Sequence, residues 1–149
     1  MNLEIKIDET LEEPKITIYS PTLNDEVRRI TEVLKNSLVI TNKLNVFKDS
    51  NMYLLSLEEI ETIYASNNKI YVRAKNNELY NTKQKLYELE EMLKNTSFVR
   101  ISNSEIVNFN EVEKLDLKTL GTIVLIFKSK NKTYVSRRFI KLVKDYLKI

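Results

Sequence analysis

Short runs in which apolar and polar residues alternate recur along this chain, and no other feature constrains its fold as much. A period of two puts every second side chain on one face of a strand. "NLEIKIDE" sets Leu3, Ile5 and Ile7 against Glu4, Lys6 and Asp8. "PKITIYS" sets Ile16 and Ile18 against Lys15, Thr17 and Tyr19. "IETIYAS", "NKIYVRAK", "NELYNT", "FVRIS", "EKLDLK", "TIVLIFKS" and "KTYVS" follow as strand candidates. "SNNK" (Ser66–Lys69) and "KNNE" (Lys75–Glu78) between them are turn sequences. Three stretches switch to helical spacing: Leu23, Val27, Ile30 and Leu34; then Leu86, Leu89 and Leu93; then Phe139, Leu142, Val143 and Tyr146, widened by Ile140 and Leu147. The predicted fold class is mainly β with α (α+β). Residues 1–50 are predicted as a strand–strand–helix extension, and residues 51–149 as the principal domain. The extension is too small to stand alone, which suits a dimerisation or regulatory segment.

Composition narrows the chemistry. The 149 residues include one glycine and neither cysteine nor histidine. One glycine cannot build a glycine-rich phosphate loop. Without Cys and His there are no disulfides, thiol nucleophiles, Cys/His zinc sites or Ser-His triads. No run approaches the length of a membrane span, and the N-terminus lacks the pattern of a signal peptide. The expectation is a cytoplasmic protein that is not an enzyme, needs no cofactor and holds no metal.

Charge is uneven. Residues 1–50 hold seven Lys/Arg against nine Asp/Glu, whereas Lys128 to Ile149 hold eight against one. Such asymmetry favours an anionic partner at the C-terminal end. Within it, "YVSRRFIKLV" puts Arg137 and Arg138 directly after Ser136, a good N-cap, at the first turn of the last helix. A helix N-terminus is a poor place for two cations unless an anion joins them. Lys128, Lys130, Asn131 and Lys132 sit on the preceding turn, and a hairpin there would put them at the other end of the sheet. Arg137 and Arg138 could alternatively pair with Asp145. Tyr64, Tyr71, Tyr80 and Tyr134 lie on strands and suit packing better than base stacking. The residues alone thus favour an anion-binding β domain, with nucleic acid as the leading partner.

The stretches "FVRISNSEIVNFNEVEKLD" and "KTYVSRRFIKLVKDYL" resemble the LytTR family of bacterial DNA-binding domains. Phe98 and Arg100 match the opening of the family pattern, Ser104, Ile106, Val107 and Asn108 its middle, and Val135 to Phe139 its end. The likeness covers roughly residues 52–149. It implies an elongated stack of small antiparallel sheets whose loops enter successive major grooves of double-stranded DNA. The implied reading loops map onto Asn68 and Lys69, onto Ser102 and Asn103, and onto Arg138, with Ser136 and Arg137 beside it on the backbone. Two departures stand out: Ser102-Asn103 replaces a His-Arg pair, and Glu105 replaces an aromatic. Glu105 would repel DNA if it faced the same way as Asn103. The implied function is a stand-alone sequence-specific transcriptional regulator without a receiver domain. It would act as a homodimer, controlled by analogy through a membrane protein. The alternative is a protein-interaction module that uses exposed sheet edges and never touches DNA. RNA binding is a third possibility.

Overall fold

The computed structural model describes residues 2–12, 14–38 and 42–149. It divides into two compact units, Met1–Ile40 and Thr41–Ile149.

In the first unit, helix α1 spans Asp25–Leu38. Asn24 starts it, its side-chain Oδ1 accepting from the Val27 N–H at 2.9 Å, and Asp25 and Glu26 complement the N-terminal end of the dipole. The two strands expected before α1 are not formed. Residues 2–8 and 14–20 have no ladder partner among the described residues, and Leu3, Ile5 and Ile7 are 94%, 80% and 87% exposed. Alternation creates an apolar face but supplies nothing to cover it, and an isolated pair of strands is marginal in water. The sequence "SLVITNKLNVFKDSNMYLLSL" reads as short strands and turns, and its residues 39–41 lie outside the described residues.

The second unit begins earlier than residue 51, because β1 (Lys43–Lys48) belongs to its sheet. The order continues with β2 (Asn51–Ser56), β3 (Ile60–Ser66), β4 (Lys69–Ala74), β5 (Leu79–Thr82) and helix α2 (Leu86–Met92). Strands β6 (Phe98–Ser102), β7 (Glu105–Asn108), β8 (Val112–Asp116), β9 (Ile123–Phe127) and β10 (Lys132–Val135) precede helix α3 (Ile140–Leu147). A seven-stranded sheet runs β2-β1-β5-β4-β3-β7-β6, and a three-stranded sheet runs β10-β9-β8. The strand pairs are antiparallel. The mainly β reading with stacked antiparallel sheets therefore holds.

Two cores hold this unit together, and β6–β7 serves both. Phe98 and Ile106 join Leu44, Val46, Ile60, Ile63, Val72 and the α2 leucines 86 and 89. Val99, Ile101 and Val107, on the opposite face, join Ile123, Leu125, Phe127, Val135 and Val143. The stripe of α3 is turned from its expected position: Phe139, Ile140, Val143 and Leu147 pack inward, while Leu142 and Tyr146 are over 40% exposed. A 3-10 turn at Arg137–Phe139 precedes α3, and its tighter winding shifts the helical phase.

Asparagine does the turning that glycine usually does. Asn67, Asn68, Asn77 and Asn95 all have positive φ, which Asn tolerates better than most residues. Tyr64 and Tyr71 stack at 5.5 Å as expected of cross-strand packing, whereas Tyr134 is 67% exposed. Among the described residues no helix is long and apolar enough to cross a membrane.

Candidate nucleic-acid interface

Three short segments meet at one end of the seven-stranded sheet. The first is the β3–β4 turn, in which Asn67 and Asn68 have φ of 50° and 61° and Ser66 faces Lys69. Two consecutive left-handed residues make the tight hairpin turn whose twist matches the strands. The second is the β6–β7 turn at Asn103 and Ser104. It lies beside the first because β3 pairs with β7 and the Ala65 N–H donates to the Ser104 carbonyl at 2.8 Å. The third is the segment after β10. There the Ser136 N–H donates to the Ile101 carbonyl at 2.9 Å, which places Ser136, Arg137 and Arg138 beside the end of β6. The residues expected to act together, Asn68, Lys69, Ser102, Asn103, Ser136, Arg137 and Arg138, are thus gathered by main-chain bonds between segments far apart in sequence.

Arg100 holds the second segment. Its Nε donates to the Ser102 carbonyl at 2.7 Å, its Nη2 to the Asn103 carbonyl at 2.5 Å and its Nη1 to Glu90. Its side chain is only 16% exposed, and its donors are spent on holding the turn. The Ser102 hydroxyl accepts from the Ser104 N–H within the same turn. Arg100→Lys keeps the charge but not the planar fork. It is expected to weaken DNA binding and to cost about 1–3 kcal/mol of stability, read from denaturant melts and binding isotherms.

Glu105 is turned away from this end. Its two carboxylate oxygens accept from Thr62 Oγ1 at 2.8 Å and Thr133 Oγ1 at 2.7 Å, tying β7 to β3 and β10. The acid that replaces the family's aromatic therefore does not stand between Asn103 and an anion.

Many basic side chains in the second unit are already paired: Lys48 with Glu78, Arg73 with Glu61, Arg100 with Glu90 and Lys130 with Glu113. Among the described residues, the side chains of Asn68, Lys69, Asn103, Arg137 and Arg138 are exposed and have no hydrogen-bond or ion-pair partner. The pair to Asp145 considered from sequence is not made. Ser136 precedes the 3-10 turn, but its hydroxyl makes no capping bond; Phe139 N–H donates to the Ser136 carbonyl instead.

The turn lysines stand elsewhere. The Lys128 N–H bonds the Glu111 carbonyl, and Asn131 Nδ2 reaches Glu61 at 3.1 Å and Asn77 at 2.6 Å. Those partners mark the end where β3 begins, opposite the turn of Asn67 and Asn68. Net charge at the C-terminus therefore overstates a single patch. Lys83 and Lys85, which the sequence reading did not single out, line one hollow with Asn68 and Lys69. The β4–β5 pairing, with Ile70 opposite Thr82, brings them to this end.

This defines the class: an antiparallel β domain that presents a row of loop side chains with unspent donors at one sheet end. The match to the LytTr DNA-binding domain family covers residues 50–148. The chain belongs to that family. It is also 36% identical over its whole length to 98% of a Staphylococcus aureus (strain MRSA252) protein named an uncharacterized HTH-type transcriptional regulator. A counterpart with the same description in strain NCTC 8325 is 35% identical over the same span. The solved LytTr DNA-binding domain of a Bacillus cereus protein superposes with TM-score 0.68 at 22% identity, covering 72% of this chain and 97% of that one. Among the described residues no two α-helices follow one another without a strand between them, so the helix-turn-helix of those relatives' names has no counterpart among these elements.

Proposed function

We propose that this protein is a transcriptional regulator that binds duplex DNA in a sequence-specific manner, as a homodimer, through loops set into the major groove. The convergence of the β3–β4 turn, the β6–β7 turn and the Ser136–Arg138 segment at one sheet end carries this reading. Arg138 and Asn103 have the chemistry to read base edges, Arg to guanine and Asn to adenine. Arg137, Lys69 and the Ser136 hydroxyl suit phosphate oxygens. The description of the relatives as transcriptional regulators agrees with it.

Selection from a random duplex pool at moderate salt tests the proposal. A recovered motif supports sequence reading; a folded protein that enriches none would overturn it. Binding should also weaken steeply with salt, with a log–log slope of about −0.9 per phosphate neutralised. A flat salt response would exclude the backbone contacts assigned to Arg137 and Lys69.

A further inference from the structure

The seven-stranded sheet has two unlike edges. At β6 the edge is closed by the Ser136 N–H to the Ile101 carbonyl, and the residues of α3 pack on Ile101. At the other edge, β2 pairs with β1 on one side and has no ladder partner on the other among the described residues. The sequence of β2, "NMYLLS", contains no charge and no proline. The edges of the three-stranded sheet are charged, with Glu113, Lys114 and Asp116 on β8 and Lys132 on β10. Met52, Tyr53 and Leu54 are 58%, 42% and 60% exposed. Soluble proteins blunt such an edge or pair it.

We propose that β2 pairs antiparallel with β2 of a second copy, joining two sheets across a twofold axis. This deepens the homodimer of the proposed function by naming its surface. The register follows from the hairpin. Asp49 and Ser50 form a two-residue turn with φ of 49° and 65°, so Lys48 and Asn51 are its closing hydrogen-bonded pair. Ladder bonds to β1 then fall at Asn51, Tyr53 and Leu55. The N–H and C=O groups of Met52 and Leu54 point to the free edge.

Self-pairing through those groups sets Met52 of each copy opposite Leu54 of the other, and each such pair exchanges both of its main-chain bonds. Tyr53 meets its own symmetry mate on the axis. No charged residue lies opposite another along the strand, so the edge is complementary to itself. Met52 and Leu54 of both copies form one apolar patch. On the other face the two Tyr53 rings meet, each already edge-on to Tyr80 at 5.5 Å. Strand pairing alone buries far less than the roughly 1,600 Å² of a standard interface. The contact is therefore weak in free solution and strengthens when neighbouring half-sites raise the effective concentration.

The absence of cysteine makes the test clean. In a non-hydrogen-bonded antiparallel pair the Cα atoms lie about 4.5 Å apart, within disulfide reach. Full-length Tyr53→Cys and Tyr87→Cys, an exposed control on α2, would be oxidised mildly at high protein concentration without DNA. We expect a covalent dimer from Tyr53→Cys and mostly monomer from the control. Adding Met52→Pro should abolish the dimer while circular dichroism stays unchanged, because the Met52 N–H makes no bond to β1; Leu54→Lys should act likewise by charge. Equal cross-linking at both positions, cross-linking that survives both second substitutions, or none in a folded Tyr53→Cys would overturn the proposal. The experiment contains no DNA, so its failure leaves the DNA-binding reading standing. A failed motif selection with an intact cross-link would do the reverse.

Discussion

Arg138→Ala is expected to lower affinity for the selected DNA motif by about 1–3 kcal/mol, roughly 5- to 150-fold, and to blur preference at one base position. The residue sits in the 3-10 turn after β10, exposed and without an intramolecular partner among the described residues. Its substitution leaves the two cores untouched, so the melting curve should not move. Lys132→Ala is the matching control. Lys132 lies at the start of β10, towards the opposite end of the sheet, and its loss should change affinity less than about twofold. Competitive binding to the selected motif and to scrambled duplex separates the readings. Equal loss on both sequences would make Arg138 a phosphate contact. No loss would remove the third segment from the interface.

Glu61→Ala should be the most damaging single change to stability outside the apolar cores, costing about 3–5 kcal/mol. The Glu61 carboxylate is 1% exposed at the start of β3. It accepts from Arg73 Nε at 2.8 Å, from Asn131 Nδ2 at 3.1 Å and from the Ser129 hydroxyl. The network ties β3 and β4 to the β9–β10 turn, joining the two sheets. Alanine removes the acceptor and leaves three donors to find water. Arg73 is partly exposed, which favours the lower end of that range. Glu113→Ala breaks the surface pair with Lys130 and should leave the midpoint almost unmoved. Urea midpoints at a fixed slope would show both effects. Equal costs would mean that the Glu61 network contributes no more than a surface ion pair.

Strands β3, β4, β6 and β9 were legible because each buries a face in a core, and burial is what alternation and apolar runs encode. "IETIYAS", "NKIYVRAK" and "TIVLIFKS" became β3, β4 and β9. The N-terminal runs show the limit of the same signal. "NLEIKIDE" has a cleaner period than most, yet Leu3, Ile5 and Ile7 are exposed. A pattern specifies which face would be buried, and only a partner surface makes it so.

The candidate interface residues were named through the family resemblance, and the fold brings the segments that carry them to one sheet end. Their roles were less legible. Arg100 and Arg138 look alike in the chain, but one grips the carbonyls of Ser102 and Asn103 while the other has no such grip. Glu105 sits two residues from Asn103 and faces Thr62 and Thr133 instead of the end where the three loops meet. The Glu105 contacts come from long-range pairing, which local spacing does not carry, whereas the grip of Arg100 is local to its own turn.

By itself, then, the sequence determined the β character, the asparagine turns that replace glycine, the absence of thiol and imidazole chemistry, and the list of cations available to an anion. Tertiary structure alone decided which of those cations share a surface. Two main-chain bonds, Ala65 to Ser104 and Ser136 to Ile101, bring three distant loops together. The Lys128–Lys132 turn, closer in sequence to Arg138 than any other loop, is sent to the far end. Hydrogen-bonded register, set by the buried faces of β3, β6 and β7, makes that division.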